Sequence, residues 1–165
     1  MKNFKLMSLM LALMACTFTF VACGDDDDEE GVNVTTSQLT GTWEMTHVAG
    51  WFLTEDDNEK LVKVSVDMDV NENNLEEFFD KDFADFVRYK FTENMFTSYQ
   101  MEYYGGSWEE SQTVPYVVNG SIITINPKGK NEEQFTVLSI SATQLVLKMV
   151  EEGELDMKVT FKKIN

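Results

Sequence analysis

Leu155-Asp156-Met157-Lys158-Val159-Thr160-Phe161-Lys162 sets an apolar side chain at every second position and a polar one between. A pleated strand sends successive side chains to opposite faces, so this stretch is a strand with one dry face and one wet face. The same period recurs upstream. Residues 114–118 and 121–125 flank Asn119-Gly120, the dipeptide best able to take positive φ at both centres of a two-residue type I′ hairpin. That turn pairs Tyr116 with Ile123 and Val114 with Ile125. Pro115 has no amide to give a ladder, so it is expected at an unpaired edge or a bulge. Further strands are predicted at 41–48, 61–70, 87–92, 95–103, 134–140 and 145–150. About eight to nine strands in sequential hairpins make an all-β meander, which hides its edges most economically as a single up-and-down antiparallel β-barrel. A flattened sandwich is the structural alternative.

One segment breaks the period of two. Leu75, Phe78, Phe79, Phe83 and Phe86 recur at three- and four-residue steps, which predicts one short amphipathic helix with an aromatic stripe. Asn73 or Asn74 is placed to cap it, and Glu76 and Glu77 suit the positive end of its dipole. Such a stripe either plugs one barrel end as core or closes over a cavity. In the second case Phe78, Phe79 and Phe83 are the lid.

The N-terminus says where the chain is sent. Lys2 and Lys5 precede an uncharged run at 6–21 that stops at Cys23, too short for a span of about 20 apolar residues. It is a secretory signal. Val21-Ala22-Cys23 resembles the bacterial lipobox, with Phe20 in place of the usual leucine. Leu13-Met14-Ala15-Cys16 keeps that leucine, but a cut there leaves the apolar stretch 17–22 outside. The resemblance implies that Cys23 is lipidated and that its three acyl chains make attachment permanent, since each buried CH₂ contributes about 0.8 kcal/mol. Asp25-Asp26-Asp27-Asp28-Glu29-Glu30 and the polar stretch 31–38 read as a self-repelling flexible tether. The acidic run resembles the export signal of Bacteroidota-type lipoproteins, which implies the outer face of the outer membrane. The expected organisation is a signal peptide at 1–22, a lipidated cysteine and tether at 23–38, and one barrel domain at 39–165.

This accounting excludes several chemistries. Cys16 leaves with the signal and Cys23 is acylated, so no thiol remains for disulfides, catalysis or metal. Loss of Lys2 and Lys5 leaves 11 basic residues against 29 acidic ones, about −18, a field hostile to nucleic acid. The 143 residues that follow the signal suffice for one domain with a real core.

At Leu39-Thr40-Gly41-Thr42-Trp43 the chain resembles the lipocalin-like domains of Bacteroidota-type lipoproteins. Tyr89-Lys90-Phe91-Thr92, the Asn119-Gly120 hairpin, Leu145-Val146-Leu147 and Val159-Thr160-Phe161-Lys162 extend the likeness in order and rhythm over 39–165. The resemblance implies that Trp43 lies across the closed end of the barrel. A basic residue of the last strand, Lys162 or Lys163, would stack on it where lipocalins usually carry arginine.

Catalytic signals are absent. His47 is the sole histidine, no Gly-x-Ser-x-Gly accompanies it, and zinc lacks ligands. Asp67-x-Asp69-x-Asn71 imitates a calcium loop, but Glu72 replaces the turn glycine and Phe78 stands where a bidentate glutamate belongs. Alternation instead makes Asp67 and Asp69 the wet face of a strand whose other face is Val64, Val66, Met68 and Val70. No carboxylate pair stands out for glycoside hydrolysis. The expectation is a protein without catalysis, cofactor or metal, bound to the membrane through its lipid. Its barrel holds a small hydrophobic ligand or lipid, lined by Trp43, Met45, Tyr99, Met101, Leu147, Met149, Met157 and Phe161. Six methionines beyond the signal suit an adaptable lining. The alternative is a surface module in which loop aromatics Trp51, Tyr103, Tyr104 and Trp108 meet a protein or glycan.

Overall fold

A computed structural model describes residues 30–55, 60–71, 74–80, 86–101 and 105–165, with backbone alone at 77, 79 and 80. Cys23, the signal, the acidic run before Glu30, Phe83, Tyr103, Tyr104 and the side chain of Phe79 lie outside the described residues. The elements are α1 (Thr36–Leu39), β1 (Gly41–Glu55), β2 (Leu61–Asp69), α2 (Leu75–Asp80), β3 (Phe86–Phe91), β4 (Met95–Met101), β5 (Glu109–Asn119), β6 (Ile122–Ile125), β7 (Glu133–Ile140), β8 (Gln144–Glu151) and β9 (Leu155–Lys163).

Alternation closes the sheet as the sequence predicts. From β3 to β9 each strand pairs antiparallel with the next, and β9 returns to β1, which pairs with β3, giving an eight-stranded barrel. The ninth strand, β2, has a particular place. One edge of the 15-residue β1 runs along β9, while its other edge is shared, residues 41–44 with β3 and 47–55 with β2. Thus β2 and β3 follow one another along β1, with α2 between them. Bulges at Thr46 in β1, Ser111 in β5 and Leu138 in β7 break the registers and supply the extra bend and twist that closure demands.

Gly50 serves the same end. It sits in β1 at φ 136°, between Val66 and Met157, and a Cβ there would overlap the Asp156 carbonyl oxygen. Only glycine permits that backbone and that approach. Strand β1 therefore continues past Gly50 to Glu55, where sequence alone suggested an end at Val48.

Several expectations change in detail. Asn119 pairs with Ile122, so the hairpin loop is Gly120-Ser121 with positive φ at Gly120 alone, as when glycine opens a type II′ turn. The pairs become Tyr116 with Ile125 and Val118 with Ile123. A two-residue slip leaves every side chain on its expected face. Pro115 stands opposite Met95, the first residue of β4, so its missing amide falls at a ladder end and the bulge lies elsewhere. The described helix is shorter than the aromatic stripe implied, because Phe86 opens β3. Asn74 precedes α2 and its carbonyl accepts from Phe78 N (2.9 Å), but its side chain bonds back to Asn71 and Asp69.

The stretch 31–38, expected to be tether, is docked. Val32 N donates to Val137 O (2.7 Å), Val34 N donates to Gly120 O (3.0 Å), and Val34 is buried. Gly31 passes so close to Ser121 and Thr136 that a side chain would collide with both. Composition missed this because main-chain hydrogen bonds hold the segment. Any tether therefore ends near Glu30.

Candidate functional site

The motif Leu39-Thr40-Gly41-Thr42-Trp43 folds as one unit at the closed end. Helix α1 starts where Thr35 N donates to Gln38 Oε1 (2.9 Å), and it ends on Leu39, which is fully buried. The Leu39 carbonyl accepts from Trp43 Nε1 at 2.6 Å, meeting the indole's one polar need inside the core. Lys163 Nζ lies 5.0 Å from the Trp43 ring centroid, whereas Lys162 pairs with Glu44 at 3.2 Å on the outer face. Of the two lysines, Lys163 is the one on the tryptophan.

Above Trp43 the interior is solid with aromatic rings. Phe91, Phe96, Phe135, Tyr89 and Phe161 meet at centroid distances between 5.0 and 6.5 Å, and Leu145, Leu147, Val137, Ile123 and Ile125 fill the remaining faces with no measurable exposure. Trp43, Met45, Leu147 and Phe161 of the predicted lining belong here, as packed core.

The other half is different. Past the Thr46 bulge, β1 leaves β3 for β2, and the inward residues are Phe52 between Val64 and Leu155, Gly50 between Val66 and Met157, and Val48 beside Met68. Met149 faces Met157 across β8 and β9. Val64, Val66, Met68, Met149 and Leu155 pack on the core while remaining partly accessible. Of the predicted lining, Met149 thus sits partly accessible on this apolar wall, while Met157 beside it is buried. Phe52, Val64 and Val66, which sequence reasoning left out of the lining, sit with them; alternation along β2 was the signal available.

Tyr99 and Met101 do not join them. Phe96 and Ser98 point inward, opposite Val114 and Gln112, so alternation turns Tyr99 and Met101 outward beside Arg88 and Phe86. The lining prediction had the wrong phase on this strand.

The flank they share is covered. Arg88 Nε donates to Glu44 Oε2 at 2.6 Å, and its guanidinium lies 3.9 Å from the Trp108 centroid. Phe86 packs on Trp108 at 5.0 Å and meets Phe78 edge-on at 6.2 Å. Phe78, predicted as a lid, is fully buried there, seating α2 at the seam where β2 gives way to β3. Trp51 is not a loop residue: it lies on β1, faces outward and carries Lys63 Nζ at 3.7 Å. His47 is also on the outside, 2.9 Å from Asp69 and 3.4 Å from Asp67. A recess of about 530 Å³ on the outer face of β7, β8 and β9 is lined by Leu138, Ser139, Gln144, Val146, Lys158 and Thr160, positions that alternate with the interior ones.

Two polar residues reach the interior beside the aromatic core. Glu133 faces inward opposite the buried Ile125, and Gln112 faces inward opposite Ser98. Burial raises the Glu133 carboxyl above its ordinary range, and a hydrogen bond to Gln112 opposes the rise. Burial, and secondarily the Glu133 charge, also pushes the Tyr89 hydroxyl well up.

An eight-stranded up-and-down barrel, plugged by a tryptophan at one end and less tightly packed at the other, belongs to the class of small closed β-barrels. The chain belongs to the lipocalin-like domain family, whose model matches residues 39–147. A lipocalin-like protein from Bacteroides uniformis has a similar solved structure, 17% identical with a TM-score of 0.43, the match covering 77% of this chain and 99% of that one. No curated protein matches the chain.

Proposed function

We propose that this is a non-enzymatic, lipid-anchored protein of the cell envelope, held through Cys23 at the outer membrane with its domain outward, whose barrel binds a small hydrophobic molecule or lipid. The observation that supports the binding is the inward apolar wall of Val64, Val66, Met68, Met149 and Leu155, packed on the core yet still in touch with water, beside the buried Phe52 and Met157. Apolar surface left wet forgoes about 25 cal/mol per Å². A ligand that covers this wall recovers that energy, and flexible methionines adapt to its shape.

Gentle purification of the full chain from its own envelope, followed by native mass spectrometry and lipid extraction, should release a bound apolar species. An empty barrel under those conditions counts against the proposal. The anchor has its own test: Cys23→Ala should abolish lipid labelling while Cys16→Ala leaves it intact. External protease on intact cells should digest the domain, and full protection until lysis would place it on the periplasmic side.

A further inference from the structure

We infer that Glu133 with Gln112 and Tyr89 forms a head-group site at the open half of the barrel, and that the ligand it selects is an amphiphile whose apolar body ends in an ammonium group. This rests on the proposal that the barrel interior is a ligand site. It adds which ligands enter.

The geometry starts from register. Phe135 is buried in the aromatic core, so Glu133, two residues before it on β7, faces inward one step nearer the open end. Its partner Ile125 is fully buried, which fixes the same face. Gln112 is two residues before the inward Val114, and its cross-strand partner Ser98 is buried. Gln112 is near enough to the Glu133 carboxyl to favour its charged form and offset part of the effect of burial. The Tyr89 ring stacks on Phe135 at 5.8 Å, which brings its hydroxyl under the influence of the Glu133 charge.

A carboxylate offers about four acceptor sites, and one amide leaves most of that capacity unused. Burying such a charge is costly unless a cation accompanies it. Among the described residues the inward strand positions hold no lysine or arginine except Lys163, and Lys163 is at the other end on Trp43. The missing cation is therefore one that a ligand can bring. An ammonium supplies three donors and the opposite charge; a hydroxyl supplies one donor, and a carboxylate is repelled. Glu109 and Glu151 occupy inward register positions at the open ends of β5 and β8, so the rim has the sign that draws a cation in.

The test uses the full chain and three probes of equal length, dodecylamine, dodecanol and dodecanoate, titrated below their micelle concentrations at neutral pH. The amine should bind at least about tenfold more tightly than the alcohol, and the carboxylate most weakly. Glu133→Gln should bring the amine to within about twofold of the alcohol without weakening the alcohol. Glu133→Asp keeps the charge and should keep the order of the three. Asp67→Asn, on the outer face, should change nothing. An amine that binds no better than the alcohol overturns the head-group site and leaves the barrel as a ligand site. So does a preference that survives Glu133→Gln or that disappears equally in Asp67→Asn. If none of the three probes binds, both proposals fall.

Discussion

Between Trp43 and Val159 the barrel axis is crowded by rings and branched side chains that, the partly buried Tyr89 apart, have at most a few per cent exposure, whereas between Gly50 and Leu155 most of the side chains on β2, β8 and β9 that face the same axis keep part of their surface in water. The strands are common to both ends. Strand β1 exchanges one neighbour, β3, for another, β2. Where β3 and β4 bring Tyr89, Phe91 and Phe96 to the axis, the interior fills. Where β2 takes their place with Val64, Val66 and Met68, it does not. One end is therefore a structural plug and the other is packed less completely, and the division can be measured by mutation.

Trp43→Ala should be the most damaging change at either end. It empties a fully buried ring and strands the Leu39 carbonyl, and removal of a core aromatic costs about 3–5 kcal/mol. Urea unfolding of the full chain should show the midpoint falling accordingly. A cost no larger than that of a substitution on β2 would erase the distinction. Gly50→Ala comes next. It forces a β-carbon onto the Asp156 carbonyl at φ 136°, a strain of about 1–3 kcal/mol from the backbone conformation alone. Because Gly50 leaves no room for a side chain against Asp156 and Met157 of β9, amide exchange should quicken first along the upper β1–β9 ladder, leaving the Trp43 end protected.

The sequence was legible where short-range periodicity decides the outcome. Alternation in 155–162 and 145–150 sufficed for the barrel; the closed end at Trp43 came from the resemblance of Gly41-x-Trp43 to the lipocalin opening. Alternation failed where the choice of face is set across strands. On β4 the inward residues are Phe96 and Ser98, yet Tyr99 and Met101 carry equally apolar bodies and read as lining. Which of them faces the core depends on cross-strand neighbours that alternation within one strand does not reveal. The first predicted strand stops at Val48, short of Gly50, a residue type that weakens strands, so Trp51 falls in a loop and Phe52 outside the interior. Glu133 and Gln112 carried no local signal at all, since their inward position follows from pairings with Ile125 and Ser98.

Met149→Ala tests the open end. Its side chain pairs with Met157 but is only half-buried, so the loss of stability should be about 1 kcal/mol, below the 2–5 kcal/mol range of fully buried methionines. The same substitution should weaken binding of dodecanol severalfold. If stability falls as steeply as in Trp43→Ala, the open end is core, and the space between β2, β8 and β9 is not available to a ligand.

The smallest effect concerns Glu133 and depends on pH. Burial holds its carboxyl above the ordinary range in the folded chain, so the folded state resists ionisation more than the unfolded state does. As pH rises past the ordinary carboxylate range, the unfolded chain releases its proton first, and stability falls until pH passes the folded value. Glu133→Gln cannot ionise and escapes that loss. The variant should be modestly more stable than the parent at pH 7.5, with the difference fading as pH drops to about 4. Urea midpoints of the two proteins at both values provide the measurement. A parent that gains on the variant with rising pH would mean that the carboxylate is already well paired inside the fold, and the site would then need no cation from a ligand. The expected sign is the reverse, and it identifies the open end as the place where this barrel gives up stability to keep a charge facing inward.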